Sequence, residues 1–254
     1  MNRNKSKSII ISGGAGNMGQ LVSDYISTRD DYSINGIYDP SYKDDKYENS
    51  FYSDNLDTDI ILEFSSSESI NDNISKWLKS RSHLIIGSSG LSNERISELK
   101  NDEIDRKVII IPNFSVGAAF QKLFSKSLSF EFNEVQIIEK HHANKKDAPS
   151  GTAIDLANNI NDIKTFENLN SDTVKNIVNN INVYSIRDEK YMAEQVVYFK
   201  NEFESFNLEH QVFDRKAYLY GLKIVLDQFD TLNKFTFGLE NIILQKIKIW
   251  LWKI

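Results

Sequence analysis

The stretch HHANKKDAPSGTA, residues 141–153, gathers two histidines, two lysines, an aspartate, a proline and a Ser-Gly-Thr turn. Between them these side chains could bind a metal, hold an anion or move a proton. The metal reading fails on spacing. His141 and His142 are adjacent, so along a strand they point to opposite sides, and the H-E-x-x-H pairing that zinc takes from a helix is absent. The remaining histidines are His83 and His210 and there is no cysteine, so no metal is expected. A solvated basic loop is all that composition alone requires. Against it stands the way the stretch ends. Pro149 stiffens the approach, and Ser150, Gly151 and Thr152 open a predicted helix TAIDLANNI whose first N–H groups have no partner within the helix. Such a start binds anions, with the two hydroxyls adding donors and Lys145 a cation. A histidine beside it titrates near neutrality and can pass a proton. These residue types suit a small, multiply acidic substrate that is protonated. Asp147 would repel that substrate and is expected to orient Lys145 or cap the turn.

A second constellation lies far upstream. IIISGGAGNMGQLV sets Gly13, Gly16 and Gly19 directly after a strand and into a helix start, which brings backbone N–H groups against a pyrophosphate. Ala15 stands where the commoner G-x-G-x-x-G has its middle glycine, although Gly14 keeps the turn flexible. YSINGIYDP then ends a second strand on Asp39, twenty residues after Gly19, where a carboxylate accepts hydrogen bonds from an adenosine ribose. Its charge disfavours a 2′-phosphate, so NADH is the preferred cofactor. Pro40 occupies the place of a phosphate-binding arginine, while Lys43 and Lys46 leave NADPH open as a second choice. Two later turns, Gly87-Ser88-Ser89-Gly90 and Pro112-Asn113-Phe114-Ser115, have small residues that let a flat ring approach the backbone, with Asn113 placed to bond a carboxamide. A tight turn with a surface aspartate would explain the first pair without a ligand; the three turns together would line one sheet edge. No G-x-x-x-x-G-K-[ST] occurs, so phosphoryl transfer is set aside.

The elements that must carry these turns follow from hydrophobic patterning. Up to residue 112, short apolar runs (SIIIS, YSINGIYD, TDIILEFS, SHLIIGSS, KVIIIPN) alternate with helix-like stretches, the pattern of βαβ units in a parallel sheet. From Asn113 the style becomes α+β: a helix in SVGAAFQKLFSKSLSF, a strand VQIIEK, the histidine loop, the helix TAIDLANNINDI and a polar stretch to about Asn180. Strand-like NVYSIRD, QVVYFKN and SFNLEHQVFD follow, then a helix from about Arg215 to Phe229. The terminal LENIILQKIKIWLWKI is read as packing or subunit contact rather than a membrane anchor. Acidic residues outnumber basic ones, 36 to 30, which argues against a nucleic-acid partner. The start MNRNKSKSIIISGG is too short in apolar residues for a signal peptide and no membrane-length apolar run exists, so a cytoplasmic protein is expected.

The segment IIEKHHANKKDAPSGTA resembles the signature of the dihydrodipicolinate reductase family, also called 4-hydroxy-tetrahydrodipicolinate reductase, with Gln136 in place of a usual glutamate at its start. The likeness extends to GGAGNMG, Asp39, EFS at Glu63 to Ser65, GSSG, PNFSVG and the run from His210 to Gly221 that contains Arg215. It implies a Rossmann-like α/β nucleotide domain, 1–112 plus about 218–254, and an α+β substrate and oligomerisation domain, 113–217, that builds a homotetramer. It implies His141 as proton donor and acceptor, Lys145 as second proton donor, and His142, Ser150, Gly151 and Thr152 as substrate-binding residues. Gly13, Gly14, Ala15, Gly16, Asn17, Met18, Asp39, Gly87, Ser88, Ser89, Ile111, Pro112, Asn113 and Phe114 would hold the cofactor. The implied reaction is hydride transfer to an unsaturated cyclic dicarboxylate in lysine and diaminopimelate biosynthesis. A NADH-binding relative with a regulatory or scaffold role is the alternative. One region departs: RDEKYMAEQVVYF lacks the glycine-bearing loop and G-x-H step that members carry, which bears on the tetramer interface or the closed site.

Overall fold

The computed structural model describes residues 6–53, 56–166 and 173–251. In chain order the elements are β1 (Lys7–Ser12), α1 (Asn17–Ile26), β2 (Tyr32–Tyr38), β3 (Ile60–Glu63), α2 (Ile70–Trp77), β4 (His83–Ile86), α3 (Asn93–Lys100), β5 (Val108–Ile110) and α4 (Val116–Leu128). They continue with β6 (Glu134–His141), α5 (Gly151–Asn159), β7 (Lys164–Thr165), β8 (Val174–Val178), β9 (Ile181–Arg187), β10 (Ala193–Lys200), β11 (Ser205–Val212), α6 (Ala217–Asp227), β12 (Phe235–Phe237) and α7 (Leu239–Leu251). Two compact units result: Met1–Pro112 with Leu222–Ile254, and Asn113–Gly221.

In the first unit the Ile- and Leu-rich runs become strands buried on both faces, as a parallel sheet requires. The order is β12-β5-β4-β3-β1-β2, every pair parallel. Because β2 lies on one side of β1 and β3 on the other, the winding reverses there. The carboxyl ends of β1 and β3 therefore border the crevice in which such Rossmann-like sheets take ligands. Ile10, Ile61, Leu84 and Val108 pack with Ile74, Trp77 and Leu99 beneath it. The edge strand β12 has no counterpart in the sequence reading, since FTF is too short to show alternation.

The second unit is a mixed sheet, β11-β10-β6-β9-β8, in which β6 runs parallel to β9 and antiparallel to β10. One face carries Val135, Ile137, Val183, Val197 and Phe199, which pack on Ala153, Leu156 and Ala157 of α5. Serine side chains start both long helices of this unit: Ser115 accepts from Ala118 N at 3.4 Å and Ser150 from Ala153 N at 3.2 Å. Each such cap contributes about 1 kcal/mol. The polar stretch expected up to Asn180 instead contains β8, an exposed edge strand whose VKNIV shows no apolar face; residues 167–172 of that stretch lie outside the described residues. Among the described residues no helix is long and apolar enough to cross a membrane.

Candidate active site

Period-two alternation along β6 sends Glu139 and His141 to the same face. Pairing with β9 sets Ser185 opposite Glu139 and Arg187 opposite His141. Glu139 is fully buried, and its two oxygens serve different partners: Oε2 bonds His141 Nδ1, and Oε1 accepts from Arg187 Nη2 at 2.8 Å. Burial alone would push this carboxyl up, but the hydrogen bonds from His141 and Arg187 outweigh it and hold the group at about 2. Glu139 is thus a carboxylate that only accepts, so Nδ1 of His141 carries a hydrogen in either protonation state. The ring nitrogen left for chemistry is Nε2.

Arg187 also fastens the loop that follows. Its Nε donates to Lys145 O at 3.3 Å and its Nη2 to Asp147 O at 2.5 Å. Within the loop, Lys145 N closes a turn on His142 O at 3.1 Å, and Lys145 Nζ meets Asp147 Oδ1 at 2.8 Å. Burial works against the charged form of Asp147, yet the Lys145 hydrogen bond holds its carboxyl below the ordinary value. Asp147 orients the ammonium as its sequence position suggested.

The loop delivers the chain into α5. Ser150 is buried and its Oγ is engaged as the helix cap, whereas Gly151 is exposed. A Cβ added at Gly151 would meet nothing within 4 Å, so the fold itself does not call for glycine there. Thr152 Oγ1 accepts from Asn113 Nδ2 at 3.1 Å, and Asn113 Oδ1 accepts from Ser115 N at 2.8 Å. The Asn113 side chain, expected at a cofactor carboxamide, is directed instead onto the turn expected to hold substrate.

In the first unit the glycine turn has the tightness that its sequence implied. Gly13 has φ +76°, and a Cβ there would lie 2.6 Å from the Phe64 backbone; at Gly19 it would lie 2.2 Å from Gly13 O. This close approach seats the start of α1 against the end of β1. Gly16, which has no side chain to cap α1, precedes a first turn without an acidic residue, and Gly16 and Asn17 are exposed there, where a helix start favours an anion. Asp39, half-buried at the end of β2, accepts from Ala15 N at 3.0 Å and Ser41 N at 2.8 Å, beside the same turn. An uncapped helix start with a carboxylate alongside fits a dinucleotide, its pyrophosphate on the turn and its ribose at Asp39. Lys43 is exposed, and Lys46 reaches Asp24 at 4.0 Å.

The turns that follow β3 and β4 share one anchor, the glutamate of the EFS run, for which the sequence alone suggests no task. Glu63, wholly buried at the end of β3, accepts from Trp77 Nε1 at 2.6 Å, Ser65 N at 2.7 Å and Ser88 Oγ at 3.3 Å, and its carbonyl accepts from Gly87 N at 2.9 Å. Ser88 is buried while Ser89 is exposed; Ile111, bonded through its N to Ile86 O at 2.8 Å, is buried and Pro112 exposed. Phe114 is buried in the second unit. Among the described residues no group of three or more His, Asp or Glu side chains is placed to hold a metal ion.

Comparison with known proteins gives one consistent result. Residues 7–114 match the family model described as dihydrodipicolinate reductase, N-terminus, and residues 115–243 the model for the C-terminus. A 4-hydroxy-tetrahydrodipicolinate reductase of Lactobacillus acidophilus is 33% identical over 94% of this chain and 99% of its own length. A protein of the same name from Dictyoglomus turgidum is 28% identical over 91% of this chain and 96% of its own. Among solved structures, a dipicolinate-bound dihydrodipicolinate reductase from Paenisporosarcina aligns with TM-score 0.72 at 23% identity, covering 93% of this chain and 99% of that one, a likeness of fold.

Proposed function

The chain belongs to the dihydrodipicolinate reductase family and reduces 4-hydroxy-tetrahydrodipicolinate to tetrahydrodipicolinate in diaminopimelate and lysine biosynthesis, and from that premise we propose how its own side chains divide the reaction. The 4-hydroxyl of the substrate leaves as water with a hydrogen of the neighbouring ring carbon, and NAD(P)H, when bound, would supply a hydride to C4 of the unsaturated cyclic dicarboxylate so formed. A hydride added to one ring carbon leaves an electron pair for its neighbour, where a proton must follow. His141 delivers that proton through Nε2, and Lys145 is the second proton donor. His142 and the Ser150-Gly151-Thr152 turn hold the substrate, the α5 start and Lys145 facing its carboxylates in a preorganised field. The observation that carries this division is the fully buried Glu139 carboxylate on His141 Nδ1, which fixes the ring and supports Nε2 as the reacting nitrogen.

Gly13 to Met18 and Asp39 would hold the pyrophosphate and ribose, with Gly87 to Ser89 and Ile111 to Phe114 near the nicotinamide. The Asp39 carboxylate supports a preference for NADH over NADPH. A cytoplasmic location and a homotetramer built through the second unit's sheet belong to the same reading.

The test is NADH consumption with substrate formed in place from pyruvate and aspartate semialdehyde. Wild type should turn over, and His141→Gln should lose roughly a hundredfold or more in kcat with little change in KM. A pure rise in KM would remove His141 from the proton step. Absence of turnover by a wild type that still binds NADH would favour a non-catalytic relative. Asp39→Ala should weaken NADH relative to NADPH, and an unchanged ratio of the two affinities would take Asp39 out of the ribose site.

A further inference from the structure

We infer that Asn113 is a positioning residue for substrate binding, one that fixes the direction in which the Thr152 hydroxyl donates. The inference rests on the reading of the α5 start as a carboxylate site. The orientation of the Asn113 amide is decided by chemistry: Ser115 N–H can only donate, so the atom it meets at 2.8 Å is Oδ1. Nδ2 then faces Thr152 Oγ1 at 3.1 Å and must donate to it. A threonine hydroxyl that accepts from a fixed amide keeps its own hydrogen for another acceptor. The neighbouring Ser150 Oγ also accepts, from Ala153 N, but Ser150 is buried, so the half-exposed Thr152 supplies the hydroxyl of this turn that is set from behind to donate outward.

Asn113 is itself held in a built frame. Ser115, buried, accepts from Ala118 N at 3.4 Å and stands 2.9 Å from His210 Nε2. His210 approaches so closely that a Cβ on Gly117 would lie 2.3 Å from its ring. Burial pushes the His210 imidazole down, toward its neutral form, in which Nε2 can accept from the Ser115 hydroxyl. A line of hydrogen bonds thus runs from β11 through Ser115 and Asn113 to Thr152.

Asn113→Asp is the informative variant: it keeps the acceptor for Ser115 N and the side-chain shape but removes the donor, so the Thr152 hydroxyl can turn inward. Asn113→Ala removes the donor without adding charge. Titration of wild type, both variants, Thr152→Val and the corresponding double variants with pyridine-2,6-dicarboxylate, and separately with NADH, decides the matter. Each Asn113 variant should weaken the dicarboxylate by about fivefold or more, as expected for one charge-assisted hydrogen bond misdirected. The loss from Asn113→Ala should shrink below about twofold in the Thr152→Val background. NADH affinity should stay within about twofold throughout, and turnover should show the effect in KM rather than kcat. Independent, multiplying losses would overturn the inference, as would an equal fall in NADH affinity. Failure of wild type itself to bind the dicarboxylate would overturn the carboxylate-site reading and this inference with it, which separates the two.

Discussion

Glu139 is a fully buried carboxylate shared by His141 and Arg187, and the two partners give it two duties. Toward His141 it fixes a ring and the hydrogen on Nδ1. Toward Arg187 it anchors the guanidinium that reaches the Lys145 and Asp147 carbonyls, so both members of the proposed acid-base pair, His141 and Lys145, are tied to one side chain. Removing one partner of a buried charge pair leaves the other uncompensated. Glu139→Gln should therefore lower kcat by at least about tenfold while dicarboxylate binding changes less. The same carboxyl links stability to pH. Its folded value of about 2 lies below the ordinary 4.5, so its stabilisation is complete above pH 4.5 and drains away as pH falls toward 2. Melting temperature followed across that interval should fall less steeply for Glu139→Gln than for wild type, and parallel curves would show that the carboxylate contributes nothing to acid stability. Alternation along VQIIEKHH places Glu139 beside His141 on one face, so this half of the cluster was legible in sequence. Arg187 was not, because its place follows from the parallel pairing of β6 with β9, and no local pattern announces which strands pair.

At the scale of elements, two helix starts carry glycine for opposite reasons, and that difference is testable. At Gly19 the backbone of β1's turn occupies the space a Cβ would need, 2.2 Å from Gly13 O, so Gly19→Ala must push α1 off the strand end. Loss of NADH affinity together with a lower melting temperature is expected. At Gly151 the space is open, and alanine is the better helix former by about 1 kcal/mol. On the proposed reading of this turn as a substrate site, Gly151→Ala should keep or slightly raise the melting temperature while weakening the dicarboxylate by about tenfold. Unchanged dicarboxylate binding would mean that nothing approaches Gly151. The elements themselves were mostly readable: the Ile-rich strands are buried on both faces, and the glycines and serines mark helix starts. β8 escaped because an edge strand exposed along most of its length has no apolar face to reveal it. β12 escaped because three residues cannot show a period.

For the molecule as a whole, the second unit's sheet bears on the proposed homotetramer. Its helix-facing residues, Ile137, Val197 and Phe199, are covered by α5. Alternation sends Ile138, Tyr184, Val196 and Tyr198 to the opposite face, together with Gln136. The loop that departs from the family pattern is a compact turn here: Tyr191 N bonds Asp188 O at 3.1 Å, Lys190 pairs with Asp188 at 3.1 Å, and Lys140 pairs with Glu194 beneath the Tyr191 ring. From Ala193 to Lys200 the pairing of β10 with β6 runs without interruption. The strand surface that would meet another subunit is therefore continuous despite the altered sequence. Light scattering after size exclusion should give four times the 29.2 kDa chain mass for wild type. Tyr198→Arg, at a half-buried position on that face, should yield smaller species with unchanged circular dichroism, since a desolvated unpaired charge at an interface is strongly unfavourable. A wild type that is monomeric at micromolar concentration and fully active would remove the tetramer from the reading, whereas a tetramer unaffected by Tyr198→Arg would move its interface to another surface.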